Sequence, residues 1–446
     1  MKKRIFMCAL IALSICSATS LFAGGRSLNV NQSAEYCKTL NRVATNDADA
    51  DLAYFNPAGT ALLSDGLYLY LSNQAIIQPI SIKSVGGHWN ELVGIKDEYK
   101  AKKYGYMFPD LFLTYKKEKF AWSFGFIPAG GGGTATYPDG LQQIDATLPF
   151  MAPIINSIYS ALGLGLGGGP MGPYVFSRFS GSSAIYGAQT SFAYAVLKDK
   201  VSLSAGYRFM YGDNSFDGKI VSPGGGYGGY IPLGSIFHAT QRGSAHGVIL
   251  GISAKPIENL TIALRGEWMS QLRLKTNSRD WFIVGLSDSS FRDGMSKAAQ
   301  LPANLNAGIA YKIEGVQISG SFIYFFNQFA LWNGKEKGYI GGYDVGLGLD
   351  YTLKAIPLNI GAGYLYANSG ARPSGRDQMW EELNYHDVGI GLSYSFLNNT
   401  LKITVAEKLT FFEPENVNKG QMIRVLPVRV YKFGTNTSIG ISYKVI

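Results

Sequence analysis

A chain of 446 residues with a formal charge of +9, 40 Lys and Arg against 31 Asp and Glu, is long enough for two or three soluble domains. Its composition argues for one unusual body instead: 55 Gly, 28 Tyr and 25 Phe, with acids and bases interspersed and no basic block to serve a nucleic acid. Of three cysteines, Cys8 and Cys16 fall in the leader described next, so Cys37 stands alone and excludes an intrachain disulfide or a cysteine metal site.

Residues 1–23 read as a secretory signal. Lys2, Lys3 and Arg4 precede an apolar run from Ile5 to Ile15, then small residues and Ala23, so the chain is expected to be exported. Cys16 does not make this a lipoprotein signal, because Ile15 occupies the place of a small residue. Residues 24–65 lack any two-residue period. Ser33 to Leu52 is polar and Ala-containing, reads as short helical pieces, and ends at Asn56-Pro57-Ala58-Gly59. Proline fixes φ and donates no backbone hydrogen bond, so this tetrapeptide stops the preceding segment sharply. A generic turn has the same signature; preceding a closed barrel, the tetrapeptide reads as the gate of a plug. The adjoining Tyr54-Phe55 pair favours burial, since leaving both rings in water forfeits about 3 kcal/mol.

From residue 66 onward the period is two. Val201, Leu203, Ala205, Tyr207, Phe209 and Tyr211 alternate with Ser202, Ser204, Gly206 and Arg208, and the same pattern recurs from Tyr343, from Val388 and through Ile439 to Val445. The runs reach the roughly nine to eleven residues that cross a bilayer at a tilt, longer than the strands of a soluble sandwich. No stretch after the signal makes a spanning helix; the nearest, Leu148 to Leu166, contains Pro153, Asn156 and a glycine run. Fourteen strands are predicted, near 66–76, 108–117, 118–127, 182–197, 200–212, 243–254, 260–273, 302–312, 316–326, 343–353, 356–367, 385–397, 400–411 and 434–446. Very short turns alternate with long loops such as 138–181, 213–242, 274–301 and 412–433, as in an outer-membrane barrel. The expected fold is all-β: a transmembrane antiparallel barrel over 66–446, with small and charged residues facing a watery lumen.

Pro128 and the run Gly130, Gly131, Gly132 and Gly133 interrupt what Phe120 to Phe126 begins as a strand, which predicts a weak place in the wall. The alternative is a strand that ends in a glycine-rich loop. Two loop clusters, Phe150, Ile154 and Ile158, then Trp281, Phe282 and Ile283, are apolar enough to catch a hydrophobic ligand or to pack on each other as a lid. Arg208 faces the lumen by alternation, and Arg265 and Lys312 also fall on predicted inner faces. Each is a candidate for a ligand headgroup, or pairs with Glu267, Asp344 or Asp350. Catalytic motifs are wanting: Gly163-x-Gly165-x-x-Gly168 lies in a glycine run without a following acid, and His88, His238, His246 and His386 are far apart. No enzyme activity, cofactor or metal is expected.

Gly25-Arg26-Ser27-Leu28-Asn29 and the stretch Asp47 to Gly59 with its Asn-Pro-Ala triplet resemble the hatch of the FadL/TodX family of outer-membrane transporters of hydrophobic compounds. The resemblance continues in order through Trp122 to Pro128, Leu301-Pro302-Ala303-Asn304 and Asp387 to Phe396. It implies a monomeric fourteen-stranded barrel, inserted by the barrel-assembly machinery and plugged by the amino-terminal hatch. It also implies a cargo, long-chain fatty acid or a related hydrophobic small molecule, caught by the outer loops and released sideways where the third strand is kinked, and an arginine near the ligand headgroup in the neighbourhood of Arg208. Two departures stand out. The chain ends Val445-Ile446 rather than on an aromatic, and Tyr36 to Leu40 lacks the family's small-residue pattern. A nonspecific porin or surface adhesin is the other class the residues allow.

Overall fold

The computed structural model describes residues 33–46, 49–85, 96–140, 176–221, 237–279, 291–376, 382–417 and 427–445. The loop residues Phe150, Ile154, Ile158, Trp281, Phe282 and Ile283, and the leader, lie outside them.

Fourteen antiparallel strands close into a barrel. They are β1 Gly66–Ser84, β2 in two pieces (Glu98–Gly105 and Asp110–Lys117), β3 Phe120–Tyr137, β4 Phe176–Leu197, β5 Val201–Val221 and β6 Phe237–Ile257. They continue with β7 (Leu260–Met269 and Arg273–Arg279), β8 (Ser296–Ala298 and Asn304–Ile313), β9 Val316–Phe325 and β10 Gly342–Thr352. The last four are β11 Leu358–Asn368, β12 Tyr385–Phe396, β13 Leu401–Phe412 and β14 Val428–Lys444. Closure is direct: Tyr68 of β1 pairs with Lys444 of β14, and the register runs unbroken to Ile77 opposite Thr435. Every strand therefore finds partners on both sides, the condition for a sheet to survive in hydrocarbon.

Alternation sorts the faces. On β5, Leu203, Tyr207, Phe209 and Tyr211 point outward and are exposed, while Ser202, Arg208 and Asn214 are buried inside. Lipid-facing aromatics stand in two belts: Phe120, Tyr194, Tyr394, Phe396 and Tyr443 near the short turns, and Phe209, Tyr211, Tyr364, Phe411 and Tyr431 toward the long connections. The aliphatic band lies between them. Strands β1 to β7 run further toward the long connections than their apolar periodicity predicts: Glu98–Gly105 has a polar outer face, and a strand that rises past the bilayer no longer needs an apolar one.

The amino-terminal segment folds inside. It comprises α1, Ala34–Thr39, capped by the Ser33 hydroxyl, then α2, Leu52–Phe55, and a 3₁₀ turn, Pro57–Leu62. Tyr54 and Phe55 are buried and pack edge to face. Where small inner-face residues suggest a watery lumen, much of that space is taken by protein. A Cβ on Gly363 would sit 2.2 Å from the Thr39 carbonyl oxygen, and one on Gly389 2.3 Å from that of Cys37. The wall is small there because the plug's backbone touches it.

Candidate functional site: hatch, wall break and inner polar groups

The hatch is bonded to strands all round the barrel. Lys38 bridges Glu35 (3.0 Å) and Asp350 of β10 (3.1 Å) and donates to Asn359 of β11 (2.6 Å) and Ser393 of β12 (3.0 Å). Lys402 of β13 pairs with Glu35 (3.0 Å) and with Asp49, whose other oxygen accepts from Ser442 of β14 at 3.0 Å. Arg42 clasps Asp51 through Nε (2.9 Å) and Nη2 (2.6 Å), tying the hatch to itself. Tyr70 of β1 accepts from Ala34 N at 3.1 Å, and Gln317 of β9 accepts from Asn46 N at 2.7 Å. Burial alone pushes the Glu35 carboxyl up, but Lys38, Lys402 and Arg42 outweigh it and hold it well below the usual carboxylate range. Burial pushes the Cys37 thiol up to about 12, so it sits there as a small neutral side chain.

Asn56 ends α2 and starts the next turn. With φ −152° it is extended, and its side chain accepts from Gly59 N at 3.1 Å as an N-cap, with Pro57 at the first helical position. A Cβ on Gly59 would meet the Asn56 amide at 2.9 Å. The Ala58 carbonyl accepts from Ser202 of β5 at 2.6 Å, and the Asn56 amide nitrogen approaches Ser253 of β6 at 3.4 Å. The tetrapeptide is thus a turn and a docking point at once. Asn56→Ala is expected to loosen it by about 1 kcal/mol, read as roughly fivefold faster hydrogen exchange at the Gly59 amide with the strand amides unchanged.

The structure brings Arg208 and Arg265 together on the inner wall and leaves Lys312 apart. Both guanidiniums bind Glu267 and lie over the Tyr54 ring, at 4.8 and 5.4 Å from its centroid. Arg208 also bonds Gln189, whose amide donates to the Ala53 carbonyl at 2.7 Å. Two cations against one carboxylate leave one positive charge, and Arg265 Nε is buried without a hydrogen-bond partner among the described residues. Burial raises the Tyr54 phenol. Lys312 sits half-buried beside the short turn at Asn259, about 20 Å along β8 from the residue paired with Arg265.

The hydrogen-bond ladder between β2 and β3 is interrupted. Leu111 pairs with Phe126, and pairing resumes at Tyr104 with Thr134, so among the described residues none of β2 is in ladder register with 127–133. On β2 the interruption is 106–109, where Pro109 offers no N–H. Asn73 of β1 substitutes for the missing ladder, donating to the Tyr106 carbonyl (3.1 Å) and accepting from Phe108 N (3.0 Å). Contrary to the sequence expectation, Pro128 and its glycines do not interrupt β3. The strand runs on to Tyr137, paired with β4 throughout, and absorbs the irregularity as two bulges in which Ala129 and Gly132 are extra residues. Gly131 and Gly133 supply the positive φ the bulges need, +91° and +72°. Ile127 to Gly131 are all buried, where regular alternation would expose every second one.

Ile127 and Ala129 pack into an inner apolar group with Tyr54 and Phe55 of the hatch, Phe112, Ile185, Met210 and Leu274. A second apolar group, including Ile80, Tyr99, Phe179, Phe216, Phe291 and Val430, lines the inside toward the long connections. Both were missed in the sequence, because each draws one or two residues from many strands. The bulges left a proline and a glycine run as their trace in β3, and the ladder gap left a proline in β2.

No family model and no curated protein matches the chain. Solved structures do. A Pseudomonas aeruginosa FadL homologue superposes with TM-score 0.66 at 15% identity, covering 95% of this chain and 100% of that one. The Pseudomonas putida toluene transporter TodX gives 0.60 at 14% over 95% and 100%, and the Ralstonia pickettii toluene transporter TbuX 0.57 at 14% over 94% and 99%. The chain has the FadL/TodX fold, a fourteen-stranded antiparallel barrel closed around an amino-terminal helical hatch.

Proposed function

We propose that this protein carries hydrophobic small molecules into the outer membrane of the cell, admitting them from the outer mouth and releasing them sideways through the break between β2 and β3. The observation that carries the reading is the location of that break. It adjoins an inner apolar group that includes the hatch's own Tyr54 and Phe55, while the hatch closes the straight path with bonds to strands around the barrel. A backbone gap at membrane depth is costly unless it serves a passage. The outward-facing aliphatic band and aromatic belts support residence in the outer membrane, and the direct β1–β14 closure supports a monomer inserted by the barrel-assembly machinery. FadL and TodX relatives of the same fold are described as a FadL homologue and a toluene transporter, which supports the same cargo class. Asn56 to Gly59 serve as the gate, Pro128 and Gly130 to Gly133 form the lateral lip, and Phe150, Ile154, Ile158, Trp281, Phe282 and Ile283 make the first capture.

A finer reading, long-chain fatty acids as cargo, is favoured by the excess cation of the Arg208–Glu267–Arg265 group and the open Nε of Arg265, which suit a carboxylate. Purified protein in a planar bilayer is expected to pass almost no ion current, while cells expressing it accumulate a labelled hydrophobic probe. A large ion current without accumulation would instead indicate a diffusion porin, and neither would indicate an adhesin.

A further inference from the structure

Between the two inner apolar groups lies a single row of polar side chains. Backbone register aligns Ser183 of β4 with Asn214 of β5, Asn214 with Gln241 of β6, and Gln241 with Thr276 of β7, all on the inner face. Two residues further toward the long connections the same strands carry Phe216 and Ala239, and Phe179 stands four from Ser183; in the other direction come Ile185, Leu274 and, four residues along, Met210. Gln241 donates to Thr276 at 3.1 Å. Asn214 is 1% exposed, yet among the described residues neither its amide nitrogen nor its carbonyl oxygen has a hydrogen-bond partner, and the buried Ser183 hydroxyl beside it has none either. An unsatisfied buried amide is costly, and a native chain keeps one where something else completes it.

We infer that Asn214 and Ser183 form a recognition station for an uncharged polar group, a hydroxyl or carbonyl, carried on an apolar ligand. An amide offers one donor face and one acceptor face side by side, which a hydroxyl can satisfy together, donating to Oδ1 and accepting from Nδ2. A bare hydrocarbon leaves both atoms unpaired. A carboxylate satisfies only the donor and sets its charge against the amide oxygen. Two inner-face cations lie on the same side of the barrel: Lys297 of β8 is three strands from Asn214, about 14 Å by inter-strand spacing, and Lys103 of β2 is two strands from Ser183, about 10 Å. Arg208 lies six residues down β5, about 20 Å. The station is thus separate from the arginines, and flanked by apolar side chains on both sides it holds the ligand's body as well as its polar group.

The inference rests on the proposed passage of hydrophobic compounds, and one experiment separates the two. Full-length protein in nanodiscs is equilibrated with radiolabelled toluene, 4-methylphenol or 4-methylbenzoate, and binding to protein-free nanodiscs is subtracted. Wild-type protein is expected to bind 4-methylphenol roughly tenfold more tightly than toluene. Asn214→Leu, of similar volume, should bring that ratio near one while leaving toluene binding intact, and Ser183→Ala should lower it severalfold. Toluene binding with no phenol preference, as when water already completes the amide, or a preference that survives in both variants, overturns the station alone. Tightest binding of 4-methylbenzoate also overturns it, by making the site ionic. Binding of none of the three overturns the station and the hydrophobic-passage reading together. Folding of each variant is checked by the heat-dependent mobility of the closed barrel, and Ser183→Ala carries the test if Asn214→Leu fails to close.

Discussion

Deleting Ala129 and Gly132 together is expected to cut uptake of a hydrophobic probe at least tenfold while leaving a closed, heat-modifiable barrel. These are the two residues that β3 carries in excess of β4, one between Pro128 and Gly130 and one between Gly131 and Gly133. Without them the two strands pair one to one, and β3 no longer has slack with which to leave the plane of the wall. Parity decides the design. Two deletions keep every side chain beyond the bulges on its present face, whereas one deletion turns Tyr137 outward and Thr134 and Thr136 inward, and should fail to assemble. The deletion removes no residue of the arginine group, the hatch or the outer mouth, and of the inner apolar group it takes only the Ala129 methyl, so lost uptake in an assembled protein is attributable to the wall. Full uptake by the assembled double deletion would refute lateral exit.

Removing residues 33–62 is expected to convert a barrel that passes almost no current into one with discrete conductance steps, at least tenfold above the intact protein. The wall's hydrogen bonds run strand to strand and close at β1 and β14, so the cylinder does not need its plug for backbone pairing. What the plug supplies is occupancy of the lumen. Its loss exposes Asp350, Lys402, Ser393 and the neighbouring glycines to water, a polar surface of the kind that lines open porins. Gly389→Val tests the same claim without a deletion, since its Cβ meets the Cys37 carbonyl oxygen and the helix α1 must yield. An unchanged, silent bilayer with assembled hatchless protein would mean that something other than the hatch obstructs the lumen.

The barrel was legible in the sequence because lipid enforces a period of two over nine or more residues, and Val201 to Tyr211 or Val388 to Phe396 display it plainly. The strand extensions were not, since Glu98–Gly105 rises where the outer face meets water and nothing selects for apolar residues. Asn56, Pro57 and Gly59 could be read as a chain stop from their backbone chemistry, but their anchorage to Ser202 and Ser253 could not, for it depends on residues some 140 to 200 positions away. Pro128 and its glycines signalled irregularity in the right place and the wrong form. Proline and glycine mark where regular geometry lapses, and whether the lapse becomes a loop or a pair of bulges is settled by the strand on the other side. The inner cations were located by parity, and Glu267 two positions from Arg265 on the same strand was among the partners it offered; that Arg208 also reaches Glu267, from two strands away, depends on cross-strand register that no local pattern encodes.

Asp49 and Ser442 are joined across 393 positions, and Glu35 meets Thr404 across 369. The hatch, synthesised ahead of every strand, therefore finds its last partners only when the final two staves arrive. Cork and cask are finished in the same step: the plug waits, its charges still hydrated, until the seam is sewn around it.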